Sequence, residues 1–160
     1  MKPTIKKADK EDKDALILFR YLLSEYESKI EKSEKLDKRT FIVEGNYTIN
    51  DLGKENVTFF LVYFRKIPIG YSKLTIKKVN AKMIGHIGAE FVLEEFRKRG
   101  IGKRLVKEMC YLIKKKKIKK ISVEVYKKNK LSIKFHKKMG FKIIGEGSNK
   151  KLYQMEKKLK

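Results

Sequence analysis

Between Glu90 and Leu105 the chain reads E-F-V-L-E-E-F-R-K-R-G-I-G-K-R-L, an order that leaves few folds open. Apolar Phe91-Val92-Leu93 has the character of a strand end. It runs into a basic turn with two glycines, Arg97-Lys98-Arg99-Gly100-Ile101-Gly102. An amphipathic helix is expected from Lys103, with Leu105, Met109, Leu112 and Ile113 on one face. Strand, glycine turn and helix in that order build an anion cradle. The helix start leaves backbone N–H groups unbonded and carries roughly half a positive charge. Two phosphate loops do not fit. A Walker-type loop needs four residues between its glycines and then Gly-Lys-Ser/Thr. The dinucleotide loop needs a third glycine where Leu105 stands. What remains is Arg97-x-x-Gly100-x-Gly102 behind a strand.

The 160 residues suit one domain, 1–160, able to bury about 70% of its unfolded surface. An apolar share of 41% supports a core in spite of the charge. No apolar run approaches the ~20 residues that span a bilayer, and Met1 to Lys7 has no apolar signal core. The lone Cys110 excludes an internal disulfide and a cysteine-based zinc site. It falls mid-helix among apolar neighbours, as a core residue does. These features predict a cytoplasmic protein with no metal and no membrane contact, as a monomer or homodimer. The net charge of +23 raises nucleic acid as a partner. Yet 36 of the basic residues are lysine and only 6 arginine, spread along the chain, whereas nucleic-acid sites favour arginine's planar fork. Half of the arginines, Arg97, Arg99 and Arg104, fall in the cradle stretch.

Along the chain, Ile5 to Ala8 reads as a first strand. Asp9 or Asp12 can cap a following helix whose buried face carries Ala15, Leu16, Phe19, Leu22, Leu23 and Tyr26. Glu27 to Glu55 is poorly patterned. A second helix begins near Ser33, and Thr40 to Val43 either belongs to it or lies extended. Val57 to Phe64 is a buried strand. After a turn at Arg65 to Pro68, a strand follows Gly70. Asn80 to Lys82 turns again, and His86 to Leu93 feeds the cradle. Ile118 to Tyr126 is a strand. Asn129 opens a helix with Leu131, Phe135 and Met139 on one face, and Gly140 stops it. Two strands, 141–144 and 152–155, close as a hairpin. The order βα(α)ββ-βαβαββ predicts an α/β (α+β) fold with a mixed sheet.

Several of these motifs resemble the GNAT N-acetyltransferase superfamily. Arg97-x-x-Gly100-x-Gly102 is similar to its acetyl-CoA pyrophosphate loop. Asn129-x-x-Ser132-x-x-Phe135-His136-x-x-x-Gly140-Phe141, after the strand Ile121 to Tyr126, is similar to its next helix. Tyr153 to Lys157 resembles its last strand, and Ile5-x-x-Ala8-x-x-x-Asp12 its first. The resemblance implies the GNAT acyl-CoA N-acyltransferase fold, a mostly antiparallel sheet flanked by helices. It also implies direct acetyl transfer from acetyl-CoA to a primary amine. Glu90, Phe91 and Val92 would then lie beside the pantetheine arm, with Val92 N–H facing the thioester carbonyl, an interaction worth ~3 kcal/mol in other acyl-transfer enzymes. Lys98, Arg99, Gly100, Ile101, Gly102 and Lys103 would hold the pyrophosphate, with Arg97 leading into the loop. Asn129 would touch the cofactor arm, or serve only as a helix cap.

The family usually has tyrosine where this chain has His136. An imidazole can protonate a departing thiolate, and it titrates near neutral pH where a phenol does not. The alternative is a packing residue near the cofactor. Three groups compete as general base. Glu124 ranks first, at the position used by enzymes resembling ribosomal-protein N-terminal acetyltransferases. Glu90 ranks second and His86 third, on one strand face at period two. Each has a structural reading as well, in a salt bridge or in water. The amine is left open, with a protein N-terminus as one candidate. A ribosome- or RNA-associated protein, or a cofactor-binding regulator, is the rival reading.

Overall fold

The computed structural model describes residues 2–33 and 38–160. Its strands are β1 (Thr4–Lys7), β2 (Val57–Phe64), β3 (Ile67–Val79), β4 (Lys82–Val92), β5 (Lys120–Tyr126), β6 (Lys142–Glu146) and β7 (Leu152–Lys158). Its helices are α1 (Lys13–Glu31), α2 (Lys38–Asp51), α3 (Ile101–Lys115) and α4 (Lys130–Lys138). The strands form one seven-stranded sheet in the order β1-β2-β3-β4-β5-β7-β6. The mixed, mostly antiparallel sheet with flanking helices expected from the sequence is the observed architecture. β4 and β5 are parallel over Gly85–Ile121, His86–Ser122 and Ile87–Val123, and β4 continues five residues further. β5 and β7 are antiparallel over seven pairs, and β6 lies outside β7 with a bulge between Ile143 and Gly145.

The chain divides into two compact units, Met1–Lys73 with Ala89–Leu105, and Leu74–Gly88 with Val106–Lys160. In the first, α1 sets Leu16, Phe19 and Leu23 against Phe59 and Leu61 of β2, Tyr71 of β3 and Ala89 of β4. The helical spacing of those apolar residues is what makes this one buried stripe. Asp9 starts the segment by accepting from Glu11 N–H, while Asp12 accepts from Asp9 N–H at 3.0 Å. This reciprocal cap forms a short 3-10 turn ahead of α1. In the second unit, a Cβ on Gly85 would stand 2.6 Å from Ile113 Cδ1 and 3.4 Å from Ile121 Cγ1. Glycine lets β4 lie directly under α3.

One open alternative is decided and three local expectations change. Thr40 to Val43 is helical, inside α2. The expected start of that helix near Ser33 adjoins residues 34–37, which lie outside the described residues. α3 begins at Ile101, two residues before Lys103, because Gly100 takes the left-handed turn (φ +77°) and buried Ile101 already belongs to the helix. Leu131 is 72% exposed; α4 buries Ile133 and His136 instead, one register round the helix. β3 and β4 both start earlier than expected, because Arg65-Lys66 and Asn80-Ala81 all have positive φ and turn the chain in two residues each.

Candidate active site

In the first unit, β4 brings Glu90, Phe91 and Val92, all half-buried, to its C-terminal end. Gly70 of β3 lies so close that a Cβ would be 2.9 Å from Phe91 O and 3.2 Å from Val92 Cγ2. Leu93 N–H donates to Ile69 O at 2.9 Å. Arg97 turns back on the strand. Its Nε–H donates to Val92 O at 2.8 Å, and its guanidinium lies 4.8 Å from the Tyr26 ring centre and 5.2 Å from that of Phe91. Arg99 lies over Phe96, and Arg104 Nη1 donates to Pro3 O at 2.7 Å. The three arginine side chains of the cradle are thus engaged by the protein itself. The turn between Arg97 and α3 is left-handed at Lys98 (φ +60°) and Gly100 (φ +77°). Gly100 O accepts the first helical bond, from Arg104 N–H. No acidic side chain stands in the first turn of α3. The N–H groups of Ile101, Gly102 and Lys103 precede that first bond, so the helix itself offers them no carbonyl partner.

In the second unit, Asn129 caps α4, its Oδ1 accepting from Ser132 N–H at 3.1 Å. That bond uses the amide oxygen and leaves the NH2 end of the side chain outside the cap. His136 is 3% exposed, with Phe135 and Phe141 edge-on to its ring. Its Nδ1 lies 2.9 Å from Ser132 O. A carbonyl only accepts, so Nδ1 carries the proton, and the neutral ring has an unprotonated Nε2. Glu124 accepts from Ser148 N–H at 2.7 Å and from Ser148 Oγ at 2.8 Å, one bond to each carboxylate oxygen. It thereby ties β5 to the β6–β7 turn, where a Cβ on Gly147 would meet its carboxylate at 3.1 Å. His86 Nδ1 lies 3.0 Å from Ser122 Oγ, its register partner on β5, and Ser122 Oγ donates to Gly85 O at 3.3 Å. His86 is therefore the donor, with its proton on Nδ1. Cys110, expected in the core, is half-buried, and burial pushes its thiol up against the nearby Lys157 and Lys114.

Comparison with known proteins bears on this arrangement. The acetyltransferase (GNAT) family model matches residues 18–141. The chain belongs to that family. Among solved structures, a PaiA N-acetyltransferase from Thermoplasma acidophilum in complex with coenzyme A is 21% identical, with a TM-score of 0.78, covering 99% of this chain and 100% of that one. Arabidopsis thaliana Naa50, in complex with the bisubstrate analogue CoA-Ac-MVNAL, is 20% identical at a TM-score of 0.74, with 99% and 100% covered. AAC(6')-Iy, in complex with CoA-S-monomethyl-acetylneamine, is 18% identical at 0.74, with 93% and 97% covered. At these identities the three share the fold with this GNAT chain.

Of the residues singled out beforehand, the structure places Glu90 to Val92 and Arg97 to Lys103 on one strand–turn–helix of the first unit. Asn129, His136, Glu124 and His86 are in the second. Sequence reasoning missed the roles of Gly70 and Ser148, and named Ser132 only as a motif position. Gly70 had a signal, a glycine inside a strand pattern. Ser148 had none, because a hydroxyl says nothing of its partner until the fold supplies one. Among the described residues no helix is long and apolar enough to cross a membrane.

Proposed function

We propose that residues 1–160 form one acetyl-CoA-dependent N-acetyltransferase domain that transfers acetyl directly to a primary amine, acting in the cytoplasm. The observation that carries this is the uncapped start of α3 behind left-handed Lys98 and Gly100, in a chain of the GNAT family. That cradle fits a pyrophosphate: it offers backbone N–H groups from Lys98 to Lys103 and no competing carboxylate. Since Arg97 Nε–H is given to Val92 O, the backbone N–H groups of the turn would hold the phosphates in its place. Glu90, Phe91 and Val92 would line the pantetheine arm, and the Asn129 amide would donate to it.

Acetyl-CoA, when bound, supplies an activated acetyl thioester. Val92 N–H would face its carbonyl oxygen as charge develops there. His136 would return a proton to the sulfur. With Nδ1–H given to Ser132 O, it can do so only from Nε2 and only as imidazolium. Glu124, Glu90 and His86 are the candidate receivers of the amine's proton. Glu124 would act there with both oxygens already accepting from Ser148. The ligands of two structural neighbours, the MVNAL peptide and acetylneamine, support an amine acceptor without choosing one.

Release of free thiol from acetyl-CoA across a panel of amines and N-terminal peptides tests the reading. Transfer to at least one amine is expected. His136→Phe should slow it, and His136→Tyr should restore part of the rate. Phe turnover equal to the parent at every pH removes the acid role. Salt-sensitive RNA binding with no thiol release from any amine overturns the enzyme reading.

A further inference from the structure

In the second unit β4 and β5 pair in parallel at three positions, and His86–Ser122 is the middle one. Register partners send their side chains to the same face of a sheet, where they meet. Ser122 is 0% exposed, while the His86 ring beside it is half-buried and reachable. A hydroxyl has one proton to give, and full burial denies this one a water to take it. Gly85 O accepts it, 3.3 Å from Ser122 Oγ. Glu156, the partner of Ser122 on β7, is paired with Lys120 Nζ at 2.8 Å instead. His86 Nδ1 stands 3.0 Å from the same Ser122 Oγ. With its proton on Gly85 O, the hydroxyl can only accept from His86.

The chain Nδ1–H to Oγ–H to backbone carbonyl therefore runs in one direction. It selects one of the two neutral forms of the ring and fixes the ring's orientation. An imidazole in water prefers the other form, with its proton on Nε2. That form presents a donor where a proton acceptor is needed. The Ser122–Gly85 pair reverses the preference and sets the ring's lone pair on Nε2, the nitrogen farther from the strand.

We propose that Ser122 is a positioning residue for acetyl transfer: it locks His86 in the Nδ1–H form, so that Nε2 takes the proton of the incoming amine. In that step the amine's N–H bond breaks as an Nε2–H bond forms, and the imidazolium later returns the proton to water. Nδ1–H stays on Ser122 throughout. The proton-taking role rests on the acetyl-transfer reading; the lock does not. A spectrum and a rate separate the two. His136→Phe leaves His86 as the only histidine. Nitrogen NMR of that protein, labelled at histidine and held where imidazole is neutral, should show Nδ1 protonated and Nε2 unprotonated. Adding Ser122→Ala should move the proton to Nε2. A ring already protonated on Nε2 before that change overturns the lock. Thiol release is then followed with His136 in place, across the amine panel. Ser122→Ala should lower kcat about tenfold or more and leave the KM for acetyl-CoA within about twofold. Ser122→Thr, which keeps the hydroxyl, should restore most of the rate. His86→Asn keeps a donor for Ser122 but removes the ring's lone pair, so it should lose at least as much as Ser122→Ala. Asn turnover equal to the parent, or an Ala loss confined to KM, overturns the positioning role. The Nδ1–H form without acetyl transfer to any amine keeps the lock and overturns the enzyme reading.

Discussion

Asp12 concentrates more bonds than any carboxylate of the cradle. It is 8% exposed, accepts from Tyr63 Oη at 2.9 Å and from Asp9 N–H at 3.0 Å, and pairs with Lys6 Nζ at 2.9 Å. Burial by itself would raise its pKa, but the bonds from Asp9, Lys6 and Tyr63 together hold it below the usual carboxylate range. Stability from Asp12 is therefore present above the ordinary carboxylate pKa and lost as pH falls through the lowered one. Urea unfolding of Asp12→Asn at pH 7 should show a loss of about 1–3 kcal/mol, because Asn cannot accept from all three donors. The gap to the parent should narrow as the pH is taken down. A gap that stays constant into acid would show that the charge plays no part. At this scale the sequence was a partial guide. Asn129 and Asp9 are caps by residue type and position, and both cap. Arg97 reads as an anion contact, yet it bonds Val92 O, because a guanidinium takes whichever acceptor the fold brings near. Glu124 finds Ser148 across 24 residues, which no local pattern encodes.

The strand–turn–helix depends on two left-handed residues with different side chains. Gly100, at φ +77°, has nothing within 4 Å of a built Cβ, so Gly100→Ala meets backbone strain without a clash. It should cost about 1–2 kcal/mol in thermal denaturation. Lys98, at φ +60°, already bears such strain, so Lys98→Gly should keep or raise the melting temperature. Equal losses from both changes would mean that the turn is not held left-handed in solution. Gly100 was legible as the residue type such a turn asks for. Lys98 was not, nor were the two-residue turns at Arg65-Lys66 and Asn80-Ala81, apart from Asn80. Their conformations come from the strands they join. The exposed Leu131 shows the same limit: α4 was legible as a helix, but its buried face was set by Ile133 and His136.

For the whole molecule, the net charge of +23 and the ion pairs act in opposite directions as salt is added. Among the pairs described, Lys29–Glu25 is open to water, with side chains 75% and 43% exposed, and such a pair contributes about 0–1 kcal/mol; the others have at least one partner half-buried or buried. Self-repulsion among so many lysines is the larger effect. Raising NaCl from about 20 mM to about 300 mM shortens the screening length to roughly a quarter. The melting temperature should therefore rise by a few degrees. A fall would mean that the pairs dominate. The family and the mixed sheet were legible here, because several motifs stood in the right order over most of the chain. The placing of β7 between β5 and β6 was not, since hairpin periodicity does not say which strand faces inward.

The bonds of Arg97 and Leu93 have a consequence for how the site is made ready. A peptide group is a flat plate, and the one joining Val92 to Leu93 is fixed at two corners. Its oxygen is held by Arg97 Nε and its N–H by Ile69 O. Twisting Val92 about its own axis would break one or both, so the amide on its other side, with Val92 N–H, has its direction set when the chain folds. No ligand has to organise it. The arginine that looked like a hand for phosphate works as a pin on the residue that carries the hydrogen-bond donor.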